Sequence, residues 1–176
     1  MQSLRQNIHV ILLTISICSI SCNSNAQNRE EIKQYYDNGQ LKATAFIEDG
    51  KKTGKAKLYY PNGKLKQEGQ WQNDKQEGLW TFYYEDGTIS GKVNFKNDEQ
   101  DGLCEFFYPN GNKQEESHFV NGHPQGDVRL YYSNGKLKET AVWENGKKNG
   151  VTIQYDSLGN GSKKIIYKDG QVVTDN

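Results

Sequence analysis

The sequence predicts an all-β protein, an elongated antiparallel β-meander of about six 24-residue hairpin repeats without disulfides. Its composition disfavours helices, because only 34% of its 176 residues are hydrophobic and a helical bundle needs long apolar faces. Glycine recurs every 24 residues, preceded in most copies by Asn or Asp at the turn-forming positions 38–39, 62–63, 86–87, 110–111 and 134–135. A fixed period of this kind is the signature of a repeat array.

Three further columns keep the same period. They hold Tyr at 36, 60, 84, 108 and 132, a second glycine at 54, 78, 102, 126 and 150, and a bulky apolar residue at 47, 71, 95, 119, 143 and 167. No insertion or deletion disturbs this register from residue 36 to residue 150. Each repeat should therefore contact only its neighbours along the array.

The Asn-Gly and Asp-Gly dipeptides predict two-residue type I′ turns, in which both central residues have positive φ. In the third repeat such a turn pairs Tyr84 with Ile89, Phe82 with Gly91, Trp80 with Val93 and Gly78 with Phe95. In the fifth it pairs Tyr132 with Leu137, Val128 with Ala141 and Gly126 with Trp143. We expect each bulky ring to shield the glycine backbone opposite it, which produces one apolar face and hence the core.

Short polar loops join one hairpin to the next, and the terminal copies deviate from the others. The outer loops contain Asp49-Gly50 and Asn145-Gly146, whereas the middle loops contain Asn73-Asp74 and Asn97-Asp98. The first copy is truncated before Ile32. In the last, the apolar residues Val151, Ile153 and Tyr155 fall on alternate positions from earlier copies, as is common in repeats that cap a stack.

Residues 1–21 have the features of a secretory signal peptide, with Arg5 ahead of an apolar run from Ile8 to Ile20 that is too short for a confident membrane span. The segment Ser19-Ile20-Ser21-Cys22 resembles the bacterial lipobox, in which the cysteine is acylated and becomes the new amino terminus. Simple cleavage after Ala26, giving a secreted or periplasmic soluble protein, and an uncleaved anchor are the alternatives. We predict a signal peptide over 1–21, lipidated Cys22 and a polar tether over 22–31, a repeat domain over 32–172 and a tail over 173–176.

The run from Gly69 to Gly87 resembles a MORN repeat, and the pattern Tyr-Tyr-x-Asn-Gly-x-Leu-Lys resembles the bacterial variant of that repeat. The variant is found in proteins labelled as YwqK-type antitoxins. The resemblance covers roughly residues 32–172. It implies an elongated single-layer β-meander, a role as a protein-interaction or dimerisation scaffold, and contact with membrane lipid as an alternative role.

The residues that could support catalysis or metal binding are few, so we expect no enzyme activity, cofactor or metal site. Cys104 occupies an interior column with Ala56 and Val128, where a thiol behaves as a small hydrophobe. His118 and His123 fall on a solvent-facing strand position and in a loop, and a metal site needs more ligands. With Cys22 acylated, Cys104 has no partner for an intrachain disulfide. The balance of 22 basic and 22 acidic residues also argues against nucleic-acid binding.

One aromatic row is expected on the otherwise polar face, away from the core. It consists of Tyr35, Tyr59, Tyr83, Phe107, Tyr131 and Tyr155. Neighbouring repeats are two strands apart, so these rings should lie about 10 Å from one another. They either stabilise the sheet, become covered by a second subunit, or form a surface for a protein strand or, less in keeping with the sequence, a glycan.

These patterns favour a non-enzymatic repeat scaffold, lipid-anchored in the bacterial cell envelope, that binds another protein in an antitoxin-like or immunity-like role. Two alternatives are a protein whose array contacts membrane lipid and a self-assembling structural protein of the envelope. The neutral charge disfavours lipid contact, because attraction to anionic lipid wants a basic patch. A homodimer is a further expectation, since an edge strand can pair with another chain.

Overall fold

The computed structural model describes residues 29–173, so the predicted signal peptide, Cys22 and residues 174–176 lie outside the described residues. Every element in the described range is a β-strand. The strands are β1 (Arg29–Tyr35), β2 (Leu41–Glu48), β3 (Lys51–Tyr59), β4 (Leu65–Gln72), β5 (Lys75–Tyr83), β6 (Ile89–Lys96), β7 (Glu99–Phe107), β8 (Lys113–Val120), β9 (His123–Pro124), β10 (Gly126–Tyr131), β11 (Leu137–Glu144), β12 (Lys147–Tyr155), β13 (Gly161–Lys168) and β14 (Gln171–Val172).

The strands form one open antiparallel sheet in chain order, with the two-residue β9 pairing to β8 at the side of the main path. Six long hairpins follow one another: β1–β2, β3–β4, β5–β6, β7–β8, β10–β11 and β12–β13. The predicted β-meander of six repeats is confirmed. Strand β1 begins at Arg29, so residues 29–31 belong to the sheet and not to the predicted tether.

The turns inside the hairpins are not the predicted type I′ turns. In the third repeat the Gly87 amide donates to the Tyr84 carbonyl at 2.9 Å and the Tyr84 amide donates to the Thr88 carbonyl at 2.8 Å. Gly87 has positive φ but Asp86 does not, which is the pattern of a type I turn followed by a glycine bulge. The Asp86 side chain accepts the Thr88 amide at 2.8 Å, so the acid is retained for its hydrogen bond.

This bulge changes the pairing next to each turn and leaves the rest of the predicted register intact. Tyr83, and not Tyr84, pairs with Ile89, and likewise Tyr131, not Tyr132, pairs with Leu137. Farther from the turns the predicted partners are confirmed, namely Phe82–Gly91, Trp80–Val93, Gly78–Phe95, Val128–Ala141 and Gly126–Trp143.

Type I′ geometry appears instead at the loops between hairpins. Asn97 and Asp98 have φ of 52° and 73°, and Asn73 and Asp74 have φ of 50° and 67°. Two consecutive residues with positive φ define this turn type. In the middle loops an Asp stands where the outer loops have the first glycine. The side chain of this Asp bonds to the preceding repeat, since Asp98 Oδ1 accepts the Gln76 amide at 2.6 Å.

The second glycine column serves a bulge and not the shielding that we predicted. Gly78 has φ of 69° and only open space lies within 4 Å of where its Cβ would be, so the Phe95 ring does not cover it. The pairing of β4 with β5 shifts between Glu68 and Gln70, and residues 78–80 bulge opposite Gly69. The rings that do cover a strand glycine are Trp80, whose indole fills the Cβ position of Gly69, and Phe106, whose ring lies 3.1 Å from the Cβ position of Gly91.

The core is a band of side chains on one face of the sheet, which we call the core face. Trp80, Val93 and Cys104 are at most 1% exposed. Trp80 is boxed by Trp71 at a centroid distance of 5.4 Å and by Phe95 at 6.4 Å, both edge-on. The predicted buried column of Ala56, Trp80, Cys104 and Val128 is confirmed, and Thr152 continues it in the last repeat.

Candidate protein-binding face

The opposite face of the sheet, which we call the polar face, carries an uninterrupted row of paired residues. Residues that pair directly across antiparallel strands share a face. Following the pairs from β2 to β13, the row is Thr44, Lys57, Glu68, Thr81, Lys92, Glu105, Glu116, Arg129, Thr140, Ile153 and Lys164. Three neighbouring pairs in this row have opposite charges, namely Lys57–Glu68, Lys92–Glu105 and Glu116–Arg129, and such a pattern favours recognition of another polar surface.

The predicted aromatic row lies beside this charged row, and we call it the aromatic ladder. Its members are Tyr35, Tyr59, Tyr83, Phe107, Tyr131 and Tyr155. Tyr35, on the outermost strand, is 59% exposed, and the other five are half-buried. The Tyr83 hydroxyl donates to Glu68 Oε1 at 2.8 Å, which places its ring on the polar face. Burial and then this bond to Glu68 raise the pKa of Tyr83.

A second set of tyrosines holds the backbone of the ladder, and sequence analysis found the column without its role. The hydroxyl of Tyr84 donates to the carbonyl oxygen of Phe107 at 2.6 Å. With this one, five consecutive repeats donate such a bond, the others being from Tyr36 to Tyr59 at 2.6 Å, Tyr60 to Tyr83 at 2.8 Å, Tyr108 to Tyr131 at 2.9 Å and Tyr132 to Tyr155 at 2.8 Å. Desolvation raises the pKa of Tyr60 and Tyr84, so these hydroxyls stay protonated donors.

Further hydrogen bonds join adjacent repeats at both ends of the strands, where the turns and the loops lie. At the end with the glycine-bulge turns, Asn110 Nδ2 donates to the Ser133 carbonyl at 2.6 Å and Asn134 Nδ2 to the Ser157 carbonyl at 2.8 Å. At the other end, the Asp98 amide donates to the Gln76 carbonyl at 3.1 Å. The spacing of the ladder is therefore fixed from both sides.

An ion-pair cluster lies at the centre of the polar face. Lys113 Nζ is 2.8 Å from Glu105 and also contacts Glu116, while Arg129 lies 2.9 Å from Glu116 and 3.1 Å from Asp127. The hydrogen bonds that Lys113 donates to Glu105 and Glu116 raise its pKa to about 12. Hydrogen bonds from Lys113 and Arg129 lower the pKa of Glu116.

Five exposed aliphatic residues share the polar face, and the sequence analysis named only Val151 among them. Leu79 and Leu103 are 49% and 45% exposed, Val120 is 41% exposed, and Val142 and Val151 are 40% and 37% exposed. The signal that could have found them is position, because Leu79, Leu103 and Val151 each follow the second glycine and alternate with the Trp80 column. In the last repeat, Val151 and Ile153 lie on the polar face, as predicted from their alternate positions relative to the apolar residues of earlier copies.

The residues weighed for chemistry lie apart from the ladder. Cys104 is fully buried, and desolvation raises the pKa of its thiol to about 11. His118 and His123 are exposed. Within residues 29–173, no group of three or more His, Cys, Asp or Glu side chains is placed to hold a metal ion. The same part of the chain contains no helix with the length and apolar character needed to cross a membrane.

The repeats of the sequence match a known family. The MORN repeat variant family matches five segments, residues 31–50, 52–73, 76–97, 100–121 and 124–147, which together make up more than half of the chain. The chain therefore belongs to the MORN repeat variant family, and it is a repeat scaffold of that class. A comparison with curated proteins found no match.

Proposed function

We propose that this chain is an exported, lipid-anchored and non-enzymatic scaffold that binds another protein through the polar face. The observation that carries the proposal is the aromatic ladder, a line of partly exposed rings whose backbone is fixed by a hydrogen bond from the preceding repeat. A rigid row of this kind loses little conformational entropy when a partner binds, and preorganisation raises affinity.

The chemistry of the face supports a protein as the partner. Tyrosine is enriched at interface cores, because its ring supplies contact area and its hydroxyl a polar tip. Lys57 and Glu68 border the ladder, and Leu79 and Leu103 add exposed aliphatic surface on the other side of the charged row. The opposite-charge pairs along the same face supply the means to select a register for the partner.

The sequence around Cys22 supports export and anchoring. Cleavage before this residue would leave a lipidated amino terminus joined by residues 23–28 to the first strand of the sheet. One acyl-bearing cysteine would hold the sheet close to a membrane of the cell envelope. The resemblance to YwqK-type proteins supports an antitoxin-like or immunity-like role, in which the partner is a toxin met in the envelope.

Contact of the array with membrane lipid is a second candidate. It is supported by the exposed side chains of Leu79, Leu103, Val142 and Val151 on one face. The acids Glu105, Glu116 and Asp127 on the same face oppose it, since they repel anionic headgroups. Flotation of residues 23–176 with liposomes of anionic phospholipid separates the two candidates, because a protein that floats without its acyl chains binds lipid through the array.

The deciding experiment for the proposal is cross-linked affinity capture of the acylated protein in its own membranes, followed by mass spectrometry. We expect one stoichiometric protein that disappears when Tyr59, Tyr83 and Phe107 are all replaced by Ser. Capture of the same protein at an unchanged level by that variant would show that the ladder is not the binding site.

Two matched controls separate binding from folding and from anchoring. Leu158→Ser alters a residue that is 70% exposed in the last hairpin turn, about two repeats from Phe107 and farther from Tyr59 and Tyr83, and it should capture as well as the native chain. Cys22→Ala removes the acylation site. If it releases the protein from the membrane while the purified chain still captures the partner, anchoring and binding are independent properties.

A further inference from the structure

The edge of the sheet at β1 is a surface with a specific chemistry. Within residues 29–173, β1 pairs only with β2, so the amide and carbonyl groups on its other side face away from the sheet. The four charged side chains of β1, those of Arg29, Glu30, Glu31 and Lys33, are all exposed. Charges on an edge strand normally discourage pairing with another chain, but here their order has a symmetry.

Two copies of β1 related by a two-fold axis can pair antiparallel and extend the sheet. Side chains alternate between the two faces along a strand. The core faces of the two sheets therefore lie on the same side only if odd-numbered residues pair with odd-numbered residues and even-numbered with even-numbered. The axis must therefore pass through a residue and not between two residues. Near the middle of the strand, the choices are Glu31, Ile32 and Lys33.

The register centred on Ile32 is complementary. It pairs Ile32 with Ile32 of the second copy and pairs Glu31 with Lys33 twice. It also places Glu30 opposite Gln34 and Arg29 opposite Tyr35, so that all seven residues of the strand pair. Opposite charges on directly paired residues stabilise a sheet. In the single copy, Glu31 already lies 3.2 Å from Lys33, so both side chains are in reach of the same partners.

The two neighbouring registers are repulsive. An axis through Glu31 places Glu31 against Glu31 and Arg29 against Lys33 twice. An axis through Lys33 places Lys33 against Lys33 and leaves Glu31 opposite Tyr35. Like charges directly opposite each other destabilise a sheet, so the charge order that excludes these registers selects the one centred on Ile32.

We propose that the occupant of this edge is a second copy of the chain, paired antiparallel through β1 with Ile32 on the two-fold axis. The interface is isologous, meaning that the same strand is used by both copies. It joins two arrays into one continuous sheet and leaves both polar faces on the same side. Pairing depends only on β1, and it holds whether or not the polar face binds a protein.

The pairing is tested by cross-linking the full chain at the axis. Ile32→Cys should form an intermolecular disulfide under mild oxidation, because paired Cα atoms in a sheet lie within the range that a disulfide spans. Thr44→Cys is the matched control, since Thr44 lies on β2 opposite Lys33 and its two copies are kept apart by both β1 strands. The native chain, which lacks the introduced cysteine, is a second control, because any dimer that it forms under oxidation must be cross-linked through its own cysteines such as Cys22. Circular dichroism verifies that each variant is folded.

Charge reversal tests the register independently of the thiols. Lys33→Glu turns two attractive pairs into two repulsive ones and should weaken dimerisation about tenfold or more, measured by sedimentation equilibrium. The double variant Glu31→Lys/Lys33→Glu restores opposite pairs and should recover it. Equal cross-linking at positions 32 and 44, or equal dimerisation of the single and double charge variants, would overturn the proposal.

Discussion

The Tyr84 hydroxyl donates a hydrogen bond to the carbonyl oxygen of Phe107, 23 residues later in the chain. Both residues lie at the end of the strands that carries the hairpin turns, one in each of two adjacent repeats. The bond thus joins the residue that begins one turn to the ladder residue of the next hairpin. Its recurrence in five consecutive repeats makes it the main side-chain connection at that end of the strands.

Removal of this hydroxyl should weaken the connection between repeats three and four. We expect Tyr84→Phe to lower the free energy of unfolding by about 0.5–1.5 kcal/mol, because the Phe107 carbonyl loses its partner in a partly buried site. Urea denaturation followed by circular dichroism measures the change. Tyr83→Phe is the control and should cost less, since its acceptor Glu68 is partly exposed and can bond to water. Equal costs for the two variants would refute a special role for the Tyr84 bond.

Gly69 and Gly78 should respond in opposite order to the same pair of substitutions. Gly78 has positive φ with open space around it, so Gly78→Asn should cost less than Gly78→Ala, because Asn tolerates this region better. At Gly69 the Trp80 indole fills the Cβ position, and Gly69→Asn should cost more than Gly69→Ala.

Thermal unfolding of the four glycine variants, together with near-ultraviolet circular dichroism, measures this difference. The two Gly69 variants should also disturb the tryptophan signal, because Trp80 is 1% exposed and has little room to move. The same order of cost at both positions would contradict the distinct origins assigned to the two glycines.

Cys104 should be inert in the folded protein. Its thiol is fully buried and has a pKa of about 11, so at pH 8 little thiolate forms, and the thiolate is the reactive species. In a Cys22→Ala chain, reaction with an aromatic disulfide reagent should be slow and should accelerate sharply at the urea concentration that unfolds the sheet. Leu158→Cys in the same background provides an exposed thiol for comparison. Comparable rates for the two thiols in native buffer would be inconsistent with the burial of Cys104.

Acid should weaken the centre of the polar face. The pKa of Glu116 is lowered in the folded chain by hydrogen bonds from Lys113 and Arg129. The stability it contributes is therefore complete above its unfolded pKa of about 4.3 and is lost as the pH falls through the lower folded value. Glu116→Gln should flatten the loss of stability below about pH 5 in urea titrations, relative to the native chain. Glu99→Gln, at an exposed hairpin end, is the control and should leave the native slope in place.

The repeat period was sufficient to predict the sheet, its strand order and most of its register. It was sufficient because a fixed spacing of glycine, tyrosine and bulky residues constrains every hairpin in the same way. The type I′ geometry that was predicted inside the hairpins occurs instead at the loops between them, since Asn-Gly and Asp-Gly suit both kinds of turn. The outcome depends on whether the Asn or Asp residue adopts positive φ, as Asn97 does, or instead accepts a nearby amide, as Asp86 does.

The ladder was also predictable, because alternation places Tyr83 and Phe107 on the face opposite Trp80. The bonds that position the ladder were not predictable. They join residues 23 positions apart, and they form only because the turns of adjacent hairpins lie close to each other. That closeness depends on the bulge at the end of each hairpin. The exposed Leu79 and Leu103 were predictable by the same alternation, because each lies two positions before a residue of the charged row, Thr81 or Glu105, and therefore on the same face.

Because bonds at both ends of the strands hold adjacent repeats in step, the sheet can act as a ruler. The marks on this ruler are the rings of the aromatic ladder, which recur every two strands, or about every 10 Å. Six rings therefore mark out about 50 Å, the length of an extended peptide of about 15 residues. A binding partner that uses the whole scale would be selected for its length, and deleting one 24-residue repeat would shorten the preferred partner by about three residues.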